Sequence, residues 1–422
     1  MPKIKVLSLG LSQSNFLIQL YSEIKKRADY FDFSVDGFYD LSEGQIENEI
    51  RIFERFHEFS KKPTSKARLF ITALKICRSF TFWRFLIFEY RLGIDFRDLK
   101  SFLRSQIRTK HIIDFFIRPC AYDIYQFHYC VPFNLRYVHY LPKNSKIVCS
   151  FWGSDLYRIE GEKREYYVSE ALNRANAISI QTPEMGVYLM KKYGAHLKPK
   201  ITYAQFALEP KIYELMDYYA ERKEHLIAYK KKLGIPLVQN VIAIGYNANK
   251  AFRHHQCLKV ISELPENLRQ SITVVLCLTY QRNDEYLREL TEYVKSLNRV
   301  NVVLLHDFLA HDEVAKLRLL TDIQIQMPIS DALSGSVTEV LYAGNTVIAG
   351  DWLPYAIFER KGVTLKSVAD FDELESVLLD VLNNLSDYKN KNANNTSAIK
   401  DHFFPNETSK AWIGMYHKLM SN

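Results

Sequence analysis

Short apolar runs alternate along the chain with longer segments in which apolar positions return every three or four residues. The first kind suits strands buried on both faces, and the second suits helices that cover them. The alternation predicts repeated βα units, parallel sheets and an α/β fold. A first set of strands is predicted at Ile4–Leu9, Phe31–Phe38, Ile124–His128, Ile147–Phe151, Ala177–Gln181 and Ile201–Phe206. A second set follows at Val241–Tyr246, Ile272–Leu278, Val302–Leu305, Ile323–Met327 and Thr346–Ala349. Between them, Pro210–Gln239 reads as a helical stretch rich in Lys and Tyr, punctuated by Gly234 and Pro236, and the domain boundary is expected there. Asn390–Ser397, polar and rich in Asn, predicts a surface loop. Beyond it, Asn406 or Thr408 is a candidate cap for a final helix carrying Trp412, Met415, Tyr416 and Leu419 at helical spacing.

Composition narrows the class. With 422 residues, 47% of them hydrophobic and 25% charged, the chain is an ordinary globular protein of two or three domains rather than a disordered or fibrous one. Six cysteines occur singly, at positions 77, 120, 130, 149, 257 and 277, with no zinc-type spacing, which indicates neither a disulfide framework nor a structural metal. The apolar start is too short for a signal peptide and no stretch is long enough to span a bilayer, so a cytosolic protein is expected.

The net charge of +8 is concentrated. Residues 61–110 hold 13 Lys or Arg against three acids, an excess of +10, interleaved with nine aromatic residues from Phe70 to Phe102. Three readings stand: a solvated pair of helices with buried aromatic faces, a basic face meeting an anionic membrane through Arg84, Arg91 and Arg97, or a nucleic-acid surface. The last lacks any recognition module, and nucleic acid is not expected as a partner.

In open parallel sheets, ligands collect beyond the carboxyl ends of strands, where helix starts offer free N–H groups to anions. The clearest such exit lies in residues 322–350, where a strand leads into a loop, Ser334-Gly335-Ser336 opens a helix, and Gly344 closes it. Two hydroxyls, a side-chain-free position and helix N–H groups suit a diphosphate, and Glu339, about one turn further in, can accept from ribose hydroxyls. An ordinary capped helix with a solvated Glu339 is the competing reading. The Asp370-Phe371-Asp372 sequence opens a helical pattern and reads as a helix start rather than a metal site.

Asp331 and Glu339 are separated by seven residues and followed by Val-Leu-Tyr-Ala-Gly-Asn-Thr-Val-Ile-Ala-Gly, which resembles the Glu-x7-Glu region of family 4 glycosyltransferases of the GT-B fold. The resemblance extends to the small-residue loop at 10–15, to Tyr-Asp-Ile-Tyr-Gln-Phe-His ending at His128, and to the stretch containing Gly153, Ser154 and Asp155, where Trp152 stands in place of the family's His. After the first strand of the second half, Tyr246 occupies the family's Arg position; Lys250 matches its Lys, with Arg253 as a substitute cation and His254 or His255 as neutral donors. The stretch Val275–Leu290 is also similar to bacterial lipid-linked aminofucose transferases.

The resemblance implies two Rossmann-like domains facing a central cleft, residues 1–209 holding the acceptor and 210–404 the nucleotide-sugar donor, with 405–422 as a helix crossing back onto the first. Glu339 would bind the ribose, Asp331 would lie at the sugar end, and Ser334, Gly335 and Ser336 would meet the diphosphate with Lys250 and Arg253. His128, Asp155 and Glu184 are the first-domain candidates to meet an acceptor. His128 reads equally as a buried strand-end group, Asp155 as a turn cap, and Glu184 as a first-turn helix acid. The expected activity is metal-independent hexosyl transfer without a cofactor, to a glycan or lipid-linked acceptor in bacterial surface polysaccharide synthesis, at the inner face of the cell membrane. The alternative is a GT-B-like protein that binds a nucleotide sugar or glycan without turning it over.

Overall fold

The computed structural model describes residues 3–10, 15–36, 52–206, 208–279, 283–297 and 299–421. The chain divides into two compact units, residues 1–207 with 408–422, and residues 208–407.

The first unit is built on a seven-stranded sheet: β1 (Ile4–Leu9), β2 (Phe31–Asp36), β3 (Phe53–His57), β4 (Ile124–His128), β5 (Lys146–Ser150), β6 (Ala177–Ile180) and β7 (Ile201–Tyr203). Its order is β3-β2-β1-β4-β5-β6-β7, and every paired neighbour is parallel. The central strands are buried on both faces, so their alternating residues serve two separate layers. One layer packs Val6, Phe31, Phe33, Ile124 and Val148 against Leu17, Tyr21 and, from the far end of the chain, Trp412, Met415, Tyr416 and Leu419. The final helix, Pro405–Ser421, is fixed there by Trp412 Nε1–H donating to the Gln205 carbonyl at 2.8 Å and by a 2.7 Å bond between Tyr30 Oη and His417 Nε2. It starts at Pro405, ahead of the candidate caps Asn406 and Thr408, because proline is pre-set for a first helical position.

The second unit carries six parallel strands, β8 (Asn240–Ile244), β9 (Ile272–Cys277), β10 (Asn301–Leu305), β11 (Ile323–Gln326), β12 (Thr346–Gly350) and β13 (Lys366–Val368), in the order β10-β9-β8-β11-β12-β13. On β12, Ile348 joins one core layer while Val347 and Ala349 join the other.

Three features differ from the sequence expectation. Edge strands β3 and β13 are additional: the first mixes buried and exposed residues and the second has three residues, so neither reads as an apolar run. The basic stretch forms three helices, Lys66–Ile76, Phe80–Arg91 and Phe96–Ile112, rather than a pair. The Asn-rich segment is no surface loop but lies across helices Leu385–Lys391 and Asn395–Phe403. Asn395, fully buried, exchanges bonds with the Thr364 N–H and carbonyl at 2.7 and 2.9 Å, and Asn392 donates to the Asn345 carbonyl at 3.1 Å. These amides satisfy backbone groups near the sheet edge, so their polarity is turned inward.

Candidate functional site

In the second sheet the chain runs from β8 to β9 on one side and from β11 to β12 on the other. The crevice between the diverging β8 and β11 loops is the topological switch point of a doubly wound sheet. Both loops are stitched together there. Ile329 N–H donates to the Ala251 carbonyl at 2.8 Å, and Tyr246 O–H donates to the Asp331 carboxylate at 3.3 Å. Gly245, at φ +57°, turns the chain beneath Phe252; a Cβ there would lie 2.6 Å from the ring. Trp352, after β12, donates its indole N–H to the Pro328 carbonyl at 2.8 Å and brings the third loop to the same place.

Asp331, Ser334 and Ser336, among the expected donor residues, lie at this crevice. Helix Gly335–Tyr342 begins at its edge, with Ser334 Oγ accepting from Val337 N–H at 3.4 Å and lying 3.1 Å from Ser336 Oγ. Gln324, fully buried on β11, reaches Ser336 Oγ with its amide at 3.2 Å. Asp331 accepts from Gln326 Nε2 and Tyr355 Oη, both at 2.8 Å, and from its neighbour's backbone N–H at 2.8 Å. Burial raises its carboxyl above the usual range, and the hydrogen bonds from Tyr355, Ala332, Gln326 and Tyr246 oppose that shift.

Glu339 is neither solvated nor alone. Its Oε2 accepts from Arg318 Nε at 2.7 Å, and both side chains are about nine-tenths buried. Burial by itself would lower the Arg318 pKa, yet the Glu339 charge beside it holds it above the ordinary value. Oε1 lies on the Gly335 side, 3.9 Å from where a Cβ on that glycine would stand. The carboxylate is thus clamped from behind, with its other oxygen toward the helix start.

The cations are arranged differently from one another. Lys250 follows β8 on a short turn and pairs with Glu289 at 3.1 Å, both side chains substantially exposed. Arg253 adopts a left-handed backbone at φ 53° and sets its guanidinium 5.4 Å from the Trp352 ring and 5.6 Å from that of Phe371. His254 is a core group: its Nδ1 meets Tyr286 Oη at 2.9 Å, and burial lowers its pKa to about 4. Asp370 caps helix Phe371–Asn383 by accepting from Glu373 N–H at 2.9 Å. Among the described residues, no three His, Cys, Asp or Glu side chains gather as a metal site.

In the first unit, the geometry turns two candidates inward. His128 ends β4 fully buried, with Tyr21 Oη 2.8 Å from Nε2 and Trp152 Nε1 3.4 Å from Nδ1. Because indole only donates, Nδ1 accepts, and the neutral ring carries its proton on Nε2. Burial lowers its pKa to about 3, so the ring is uncharged and both nitrogens are occupied, which suits the strand-end role rather than proton transfer to a substrate. Asp155, 1% exposed, accepts from Trp152 and Gly153 N–H at 2.8 and 2.9 Å and from Cys130 N–H at 2.6 Å. It ties the loop after β5 to the loop after β4, as a turn cap does. Glu184 stands in the first turn of helix Pro183–Tyr193, which Thr182 caps. Arg84 is bound to Glu170, whereas Arg91 and Arg97 are exposed.

Arg318, Gln324, Gln326, Trp352 and Tyr355 belong to the site and were not singled out by the sequence. The available signal was the Ile-Gln-Ile-Gln run of β11, where glutamines alternate with isoleucines on a fully buried strand.

No family model and no curated protein matches the chain. Solved structures do. A glycosyltransferase from Rickettsia africae matches with 14% identity, TM-score 0.70 and full coverage of both chains. The N-terminal domain of a trehalose-6-phosphate phosphatase from Candida albicans matches with 11% identity and TM-score 0.67 over 99% of this chain and 97% of that one. HepE of Anabaena, solved with UDP and glucose, matches with 12% identity and TM-score 0.64 over 99% of this chain and all of the other. Two parallel α/β sheets, each with its own switch point, and a C-terminal segment returned to the first unit therefore give this chain the GT-B glycosyltransferase fold.

Proposed function

We propose that the protein is a glycosyltransferase that takes a nucleotide-sugar donor at the switch point of its second unit and passes the sugar to an acceptor held by the first. The observation that supports this reading is the gathering at one crevice of the Ser334–Ser336 helix start, the clamped Glu339 and Asp331, with Arg253 beside the Trp352 that closes on the same loops. The UDP and glucose found in the similar HepE structure support a donor of that class.

Each group has a task in this reading. Helix N–H groups and the Ser334 and Ser336 hydroxyls receive the diphosphate. Glu339 accepts from the ribose through the oxygen that Arg318 leaves available. Lys250 and Arg253 stabilise charge that grows on the departing diphosphate, an electrostatic contribution made without a metal. Asp331, held by Tyr246 and Tyr355, orients the sugar end. His128 and Asp155 support the acceptor side by fixing the ends of β4 and β5. We read the transfer as hexosyl, and the acceptor as a glycan or lipid-linked saccharide of bacterial surface polysaccharide synthesis at the inner membrane face.

A second reading, donor binding without turnover, is favoured by the Lys250–Glu289 pair and by Tyr246 standing where similar enzymes carry an Arg. One experiment separates the two. A panel of nucleoside diphosphates is screened for a rise in melting temperature, since a ligand of the native state stabilises it. The corresponding nucleotide sugars are then incubated with the protein. One nucleotide should stabilise, and its sugar should slowly release that diphosphate. Stabilisation without release supports the binding-only reading, and no stabilisation by any nucleotide overturns both.

A further inference from the structure

The first unit presents an apolar face that its own fold leaves uncovered. On helix Phe80–Arg91, Phe82, Phe85 and Glu89 point inward, against Phe102, His139 and Tyr167. Phe80, Trp83, Ile87 and Tyr90 recur on the opposite side at spacings of three, four and three, a single helical stripe, and are 79%, 47%, 50% and 79% exposed. The preceding helix, Lys66–Ile76, exposes Phe70, Ile71 and Leu74, and the next helix opens with Phe96, 83% exposed. Soluble surfaces scatter single apolar residues; a run of this kind on consecutive helices marks a binding face.

Two observations say what covers it. The first is charge: Lys66, Lys75, Arg78, Arg91, Arg97, Lys100 and Arg104 are all exposed on these three helices or the turn after the first, whose acids are Glu89, Asp95 and Asp98. Glu89 is buried and paired with Lys163 at 2.7 Å, and the remaining two acids, Asp95 and Asp98, are outnumbered by the seven exposed cations. The second is the chemistry of Trp83. Its only polar group, the indole N–H, already donates to the Cys77 carbonyl at 2.7 Å, so the ring can leave water without stranding a donor. An apolar stripe whose Trp83 indole is already satisfied, on helices that also carry exposed cations, complements an anionic lipid surface.

We propose that helices Lys66–Ile76 and Phe80–Arg91, with the start of Phe96–Ile112, form a docking face that lies on an anionic bilayer, the apolar stripe entering the headgroup boundary and Arg91 and Arg97 meeting lipid phosphates. Among the described residues no helix is long and apolar enough to cross a membrane, so attachment is to one surface. Arg84 does not take part, since Glu170 already holds it. This deepens the reading of a membrane-side acceptor, but the docking needs no donor and can be tested apart from it.

The test uses the full chain and two variants changed only at exposed positions, Phe80→Ser/Ile87→Ser/Phe96→Ser and Arg91→Glu/Arg97→Glu. Binding is measured by co-sedimentation with vesicles of phosphatidylcholine and phosphatidylglycerol, and of phosphatidylcholine alone. Each cation near an anionic surface strengthens binding by about fivefold, so the charge reversal should weaken binding to the mixed vesicles by about 25-fold or more. The serine variant should lose binding to a similar degree, while circular dichroism and melting temperature of both stay as in the parent. Absence of parental binding to mixed vesicles, or equal binding by parent and variants, overturns the proposal. So does a dimer that the serine variant makes monomeric, which would assign the face to a second copy, or binding to nucleic acid in preference to vesicles. A failure here leaves the nucleotide screen untouched, and a failure of that screen leaves the docking face standing.

Discussion

The pair formed by Arg318 and Glu339 makes the sharpest demand on the structure, because the proposed function asks one carboxylate oxygen to serve stability and the other to serve ligand binding. The Arg318 nitrogen sits 2.7 Å from Oε2, and only 9% and 11% of the two side chains is exposed. At that burial, breaking the pair by removing one partner costs about 3–5 kcal/mol, since an uncompensated charge is left behind. The direct attraction points to the same range, about 4 kcal/mol for charge centres about 4 Å apart at an effective dielectric near 20. Glu339→Gln keeps one acceptor for the Arg318 N–H, so it should fall near the lower end, about 3 kcal/mol. Arg318→Met strands the carboxylate instead and should cost a similar amount. The double variant strands neither charge. It should therefore be far more stable than the sum of the single losses predicts, with a coupling of about 3 kcal/mol.

Urea denaturation of the four proteins measures that coupling through the shift in midpoint at constant slope. Losses that add to within about 0.5 kcal/mol would refute the buried pair as described. Donor affinity should follow a different pattern. Glu339→Gln should lose about 1.5–3 kcal/mol of nucleotide binding, the worth of a hydrogen bond to a charged acceptor. Arg318→Met should also lose affinity, because the carboxylate is no longer held in one orientation. Restoring stability in the double variant should not restore binding. Parental affinity in the double variant would remove Glu339 from the ribose, whatever its part in the fold.

Three further expectations concern other parts of the molecule. Lys250→Ala and Arg253→Ala should each lower the turnover rate more than they weaken donor binding; an exposed pair such as Lys250–Glu289 is worth at most about 1 kcal/mol of stability, so unchanged turnover in the double variant moves the cationic role elsewhere. Gly10→Ala should destabilise the first unit by about 3 kcal/mol or more, because the residue lies at φ +115° with a Cβ position 1.9 Å from the His128 carbonyl oxygen, and a melting temperature equal to the parent's would contradict that close approach. Asp155 is raised to about 6 by burial, against which its backbone hydrogen bonds act, so the folded state binds its proton more tightly than the unfolded state does. Stability relative to Asp155→Asn should fall by about 3 kcal/mol as pH rises from about 4 to about 6 and be level above that, and a flat difference across urea midpoints in that window would rule it out.

What the sequence made legible was what depends on neighbours along the chain. Ile272–Cys277 is buried on every residue, so its apolar run announces a central strand without help from elsewhere. Likewise Ser334, Gly335 and Ser336 lie at a strand exit because a strand precedes them and a helix follows, and the spacing of Asp331 and Glu339 places both beside that exit. Edge strand Phe53–His57 escaped because its burial, one buried residue followed by two exposed and two partly buried ones, follows no alternation that a sequence pattern could show.

The roles that were not legible are those decided by a partner delivered from another element. Glu339 sits at an identical place in the sequence whether solvated or clamped, and the difference is Arg318, 21 residues earlier on a separate helix. His128 ends its strand in either reading; what closes over it is Tyr21 from the first helix, Trp152 from the next loop and Trp412 from the last helix of the chain. Asn392 and Asn395 look like loop residues until the backbone groups that they satisfy come into place. In each case a polar side chain is buried by contacts of long sequence separation, and because an unpaired polar group is costly to bury, its partner must be present as well. A motif therefore locates a side chain at a strand exit, while the long-range partner decides which of its atoms remain for a ligand. That is why Glu339 keeps an oxygen toward the Ser334–Ser336 turn and His128 keeps no free ring nitrogen at all.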